Sequence, residues 1–176
     1  MNEIILDIIK FSIPAIIVFL TVYVMLDKQA RKEEKMRVFE LKKRHSKESL
    51  PIRLQAYERI MLLIHRIAPE NLIPRTQNAS MSVKMLSYTL LKTVKSEFEH
   101  NITQQVYVST DTWESVEQYK NNLLSLIQQK TLEFKPEDIG LNLSEAILND
   151  VINNSNSLGG KDVKKLLQKE VKMMFI

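Results

Sequence analysis

The sequence predicts an all-α chain: a single N-terminal transmembrane helix, a charged juxtamembrane helix, and then a small cytoplasmic helical bundle. Three observations lead there. Residues 11–26 carry no charge and consist mainly of Ile, Val, Leu, Phe, Ala, Tyr and Met. Residues 27–47 hold nine Lys and Arg against four Asp and Glu. Beyond residue 49, apolar residues recur at three- and four-residue spacing, the period of a helix with one buried face. The β-branched run Val106-Tyr107-Val108 has no evident partner strand.

The first element is the stretch Ile4–Leu26. As a helix rising 1.5 Å per residue it would reach about 34 Å, enough for a ~30 Å hydrocarbon core. Asp7 and Lys10 interrupt it three residues apart, where they can neutralise each other, and Pro14 can kink it. A cleavable signal peptide would need a basic start and small residues at its end, whereas this stretch begins with Glu3 and closes on Val24-Met25-Leu26. The cations that follow place the C-terminal side in the cytoplasm and the N-terminus outside. Residues 1–26 are thus expected to form a transmembrane anchor, 27–48 a basic helical spacer and 49–176 a cytoplasmic helical domain.

The spacer contains attractive pairs such as Asp27/Arg31 and Glu33/Arg37, and no heptad seam runs through it. Its membrane-proximal cations Lys28, Arg31, Lys32 and Lys35 are candidates for anionic lipid headgroups. Ser49-Leu50-Pro51 is expected to cap and open a new helix, with Ile52, Ala56, Ile60, Leu63, Ile64 and Ile67 on its buried stripe. Pro69–Pro74 reads as a rigid connection and Arg75–Ser80 as a polar loop. A helix over Met81–Asn101, capped by Ser80, carries the stripe Val83, Leu86, Leu90, Val94 and Phe98, and continues briefly past Ile102. Asp111-Thr-Trp-Glu114 resembles a capping box for a helix reaching about Lys130. Shorter helices follow over Ser144–Ile152 and, after the loop 153–160, over Lys161–Phe175.

Composition narrows the chemistry. With no cysteine, the chain has neither disulfides nor thiol nucleophiles nor Cys-ligated zinc. Its three glycines, Gly140, Gly159 and Gly160, cannot write a phosphate-binding loop. Charge outside residues 1–47 is balanced, so no basic domain surface calls for nucleic acid. No small-molecule substrate or cofactor is expected, and the chain reads as a non-enzyme.

The densest polar cluster spans residues 96–105. Arg53, Arg59 and Arg66 lie on the helix expected to face Glu97 and Glu99, and with Tyr57, Glu58, His100, Asn101, Gln104 and Gln105 they would form a polar seam or a partner-binding surface. Trp113 is read as a packing anchor at its edge. An alternative is a metal-dependent helical-bundle enzyme using Glu58, His65, Glu97 and His100, because Glu97 and His100 have the Glu-x-x-His spacing of di-iron bundles. The second Glu-x-x-His of that pattern is missing.

The segments LPIRLQAYERIMLLIHRIAPENLIPR (50–75) and SEFEHNITQQVYVSTDTW (96–113) resemble an uncharacterised bacterial family of short single-pass membrane-anchored proteins, a domain of unknown function. The resemblance implies the bacterial inner membrane and brings no activity. The b subunit of bacterial ATP synthase is similar in plan to about residue 48, which makes a peripheral-stalk-like or lipid-binding structural role a further alternative. The expected function is a membrane-anchored scaffold or adaptor mediating protein–protein interaction or self-association.

Overall fold

The computed structural model describes residues 2–154 and 158–175; the side chains of residues 2–15, 38 and 41–48 lie outside this description. Among the described residues the chain is helical throughout. It comprises α1 (Asn2–Ile67), α2 (Pro69–Thr76), α3 (Val83–Asn101), a 3-10 turn (Ile102–Val106), α4 (Thr110–Thr131), α5 (Gly140–Asn153) and α6 (Gly160–Met173). Two compact units divide it, Met1–Ser49 and Leu50–Ile176.

In the first unit, the expected transmembrane anchor is corrected: among the described residues no helix is long and apolar enough to cross a membrane. Among the described side chains, the apolar stretch that contains Ile16 is closed by Asp27 and Lys28, and a charged segment follows it. The remainder of the expected span, with Asp7, Lys10 and Pro14, falls among the residues whose side chains are not described. The single-pass transmembrane architecture is withdrawn. Within this unit Phe19 and Tyr23 stack with centroids 6.5 Å apart, and Arg31 Nε donates to Asp27 Oδ2 at 2.9 Å, the i,i+4 pair expected from the spacing.

The second unit is a helical bundle. The α1 segment from Leu50 to Ile67 inserts Ala56, Ile60, Leu63, Ile64 and Ile67, each at most 1% exposed, into its core. Ile52 is exposed, and Pro51 lies inside α1 rather than opening a new helix. Around this segment α3 packs on α4 and α5, α4 on α5 and α6, and α2 on α3 and α5. The stripe Val83, Leu86, Leu90, Val94 and Phe98 is buried as its spacing requires, and α4 and α5 answer it with Leu123, Ile127, Leu143 and Ile147. Each such side chain contributes about 1.5–3 kcal/mol by leaving water.

Three boundaries differ from expectation for local reasons. Pro69–Thr76 is a helix, because Pro69 suits a first helical turn and Leu72 and Ile73 gain burial by coiling inward. Helix α3 is capped by Ser82, whose Oγ accepts from Met85 N at 3.4 Å, rather than by Ser80. Its first free amides are taken by the loop before α5: Val83 N donates to Asp138 O at 2.8 Å and Lys84 N to Pro136 O at 3.1 Å. On the same seam Gly140 N donates to Met81 O at 2.9 Å, and α5 begins there, four residues ahead of expectation. Helix α4 is capped by Ser109, whose Oγ accepts from Thr112 N at 3.2 Å, in place of Asp111.

A candidate docking groove between α1 and α3

The residues expected to form one polar seam separate into three places. The first is a groove of about 640 Å³ between the last turns of α1 and the second half of α3, with Leu62 and Leu63 from α1 and Thr93 and Ser96 from α3 in its lining. Arg59, Arg66 and Lys92 supply its cations, and Glu97 its carboxylate; His100 and Asn101 close one end. Leu62 is 51% exposed and so presents an apolar surface to solvent within a cationic rim.

Glu97 is the fixed point of the groove. Its side chain is only 16% exposed, and its Oε1 accepts from Arg66 Nη2 at 3.0 Å and from Arg75 Nη2 at 3.4 Å. Arg75 is aimed there by α2, and its Nη2 also donates to Arg66 O at 3.3 Å. Asn101 Nδ2 donates to the Glu97 carbonyl at 2.8 Å and steadies the end of α3. Such pairs are half-exposed and stabilise the fold by no more than about 1 kcal/mol each. Among the described residues, Arg59 and Lys92 pair with no carboxylate, and Lys92 lies 6.0 Å over the Tyr88 ring. Arg59 and Lys92 thus line the same groove as Glu97, whose carboxylate Arg66 and Arg75 share.

The second place is the opposite face of α1. Tyr57 is 3% exposed, and its hydroxyl donates to Glu170 Oε2 of α6. The same carboxylate accepts from Ser109 Oγ, from Ser109 N at 3.4 Å and from Thr112 Oγ1 at 2.5 Å. Burial pushes Glu170 up, but the donors from Ser109, Thr112 and Tyr57 outweigh it and hold the carboxyl below its ordinary range. Burial, reinforced by Glu170, pushes the Tyr57 phenol up to about 12. This carboxylate ties α6 to α1 and to the first turn of α4. Glu58, which is exposed, lines a neighbouring groove with Leu54, Met61 and Lys172. Arg53 Nε donates to Tyr107 O at 3.3 Å.

The third place is the junction between α3 and α4. Trp113 is buried, with its ring 5.3 Å from Phe98, and its Nε1 donates to Glu117 Oε1 at 3.1 Å. Lys120 lies 4.1 Å over the other ring of this pair, Phe98. Gln104 is buried in the 3-10 turn and donates to Thr103 Oγ1 at 3.3 Å, while Glu99 and Gln105 are exposed.

The candidate metal quartet does not converge. Glu97 and His100 line the first groove, whereas Glu58 lines the other. Among the described residues, no group of three or more His, Cys, Asp and Glu side chains could hold a metal ion. The lipid-headgroup candidates Lys28, Arg31, Lys32 and Lys35 are all exposed in the first unit.

Two residues that organise these places, Arg75 and Glu170, were not singled out by the sequence pattern. Arg75 was hidden by its placement in a loop. Glu170 had a legible signal: Val163, Leu167, Glu170 and Met174 are spaced three and four apart, which puts a lone carboxylate on the apolar face of α6.

Neither a curated protein nor a solved structure matches the chain. A family model does match it, over residues 3–174, and carries no statement of source or membrane anchoring: the chain belongs to a family of unknown function (DUF7935).

Proposed function

We propose that the chain is a non-enzymatic interaction module that holds another protein in the groove between α1 and α3. The observation that supports this most is the arrangement around Glu97: an exposed leucine inside a rim of Arg59, Arg66 and Lys92, with Arg66 and Arg75 sharing the one carboxylate. An apolar centre with a charged rim is the usual anatomy of a protein-docking patch. A bacterial source, implied by the resemblance of residues 50–75 and 96–113, completes the proposal.

The test is co-purification of the tagged full-length chain from cells of its natural source, comparing wild type with Arg59→Glu/Lys92→Glu. Both positions are exposed, so the double variant is expected to fold. A stoichiometric partner lost on charge reversal is the expected result. A partner retained at the wild-type level overturns the docking role of this groove.

A second reading, contact with anionic lipid headgroups, draws on the first unit, where Lys28 and Lys32 lie between Met25 and Met36 on one open face. Co-sedimentation with phosphatidylserine vesicles that weakens with salt is its expected signature, and binding indifferent to salt overturns it.

A further inference from the structure

We infer that the segment docking in the α1–α3 groove is an acidic peptide stretch that also carries an apolar side chain, and that it competes with Glu97 for Arg66 and Arg75. This rests on the groove being a docking surface. Arg66 and Arg75 both reach the same Glu97 oxygen, at 3.0 and 3.4 Å. Each guanidinium presents five donors in a planar fork, so one contact to a shared oxygen leaves donor capacity for a second carboxylate. Arg59 and Lys92, which pair with no carboxylate among the described residues, extend the same sign of charge along the rim. Leu62, half-exposed between Arg59 and Arg66 on the same helix, offers the apolar contact. A cavity of about 640 Å³ has room for a few side chains rather than for a folded domain.

Glu97 then acts as a stand-in for the partner's carboxylate. It keeps the two arginines ordered in the free protein and has to share them when the peptide arrives. This makes a prediction of unusual sign. Removing the negative charge of Glu97 should strengthen binding, whereas a residue that merely built the groove would weaken it.

The experiment is fluorescence anisotropy on the full-length chain with a labelled peptide of alternating Glu and Leu. The matching Lys/Leu peptide and a single-stranded RNA of equal length serve as comparators. The Glu/Leu peptide is expected to bind and to weaken as salt rises. Arg59→Glu/Lys92→Glu should lose at least about tenfold in affinity, and Glu97→Gln should gain at least about threefold. Equal binding of the Lys/Leu peptide, tighter binding of the RNA, or a Glu97→Gln variant that binds no better than wild type overturns the inference. If Glu97→Gln loses the native Trp113 emission, the charge-reversed double variant decides: unchanged peptide affinity overturns the inference and a tenfold loss supports it. A co-purified partner that depends on Arg59 and Lys92, together with no affinity for the Glu/Leu peptide, rejects the acidic occupant and keeps the docking groove. A partner indifferent to both residues rejects the groove itself.

Discussion

Replacing Glu170 tests how α6 is held, and the cost can be worked from its partners. In Glu170→Ala, Tyr57 Oη and Thr112 Oγ1 lose their acceptor; Tyr57 is 3% exposed and Thr112 is fully buried. A buried donor left unsatisfied costs about 1–3 kcal/mol, and Ser109, being exposed, recovers its bonds from water. The expected loss is about 2–5 kcal/mol. Glu170→Gln keeps the shape and one acceptor but forfeits the charge, and should cost about 1–2 kcal/mol. Urea unfolding followed by the fluorescence of Trp113, buried against Phe98, reads both. The pH dependence carries a definite sign. The Glu170 carboxyl is held below its ordinary 4.5 in the folded state, so its contribution is complete above that value and fades as pH falls beneath it. The gap between wild type and Glu170→Gln should therefore close in acid. On the alkaline side, Tyr57 is raised from 10.0 to about 12, so the stability it contributes is lost as pH climbs through that window, and Tyr57→Phe should remove that limb. A Glu170→Ala variant with the wild-type urea midpoint, or a Glu170→Gln gap unchanged between pH about 7 and about 3, would refute the four-donor tie.

Other substitutions should separate packing from surface. Gly140→Ala places a Cβ 2.9 Å from Met81 O and 3.3 Å from Leu86, so a loss of about 1–3 kcal/mol in urea unfolding is expected. Gly159→Ala meets nothing within 4 Å but sits at φ +81°, and should cost only about 1 kcal/mol of backbone strain. Leu63→Ala, at a position 1% exposed, should lose about 2–5 kcal/mol, while its neighbour Leu62→Ala, 51% exposed, should change stability by less than about 0.5 kcal/mol. Equal losses at Leu62 and Leu63 would mean that the groove floor is core.

What could be read from the sequence was the part fixed by period. The α3 stripe from Val83 to Phe98 and the α1 stripe from Ala56 to Ile67 appear in the core because a helix with one apolar face has one way to bury it. Of the three arginines expected to face Glu97 and Glu99, Arg66 pairs with Glu97. The rest depends on tertiary placement. Two prolines disguised α2 as a connection, and its register is set by Leu72 and Ile73 meeting the bundle, which then aims Arg75 at Glu97. Tyr57 and Trp113 share a seam with the groove residues in the linear pattern, yet one turns to α6 and the other to Phe98. Local spacing cannot show which neighbour arrives. For the first unit, composition over Ile4–Leu26 suggested a span, while among the described residues no helix is long and apolar enough to cross a membrane.

The docking groove is tested most directly by a photo-reactive amino acid at Leu62, compared in living cells with the same group at Tyr88, which is 65% exposed on α3 and absent from the groove lining. A discrete cross-linked species formed from Leu62, lost in Arg59→Glu/Lys92→Glu and missing from Tyr88, is the expected result. Equal cross-linking from both positions, or none from Leu62, would contradict a docking role for the groove between α1 and α3.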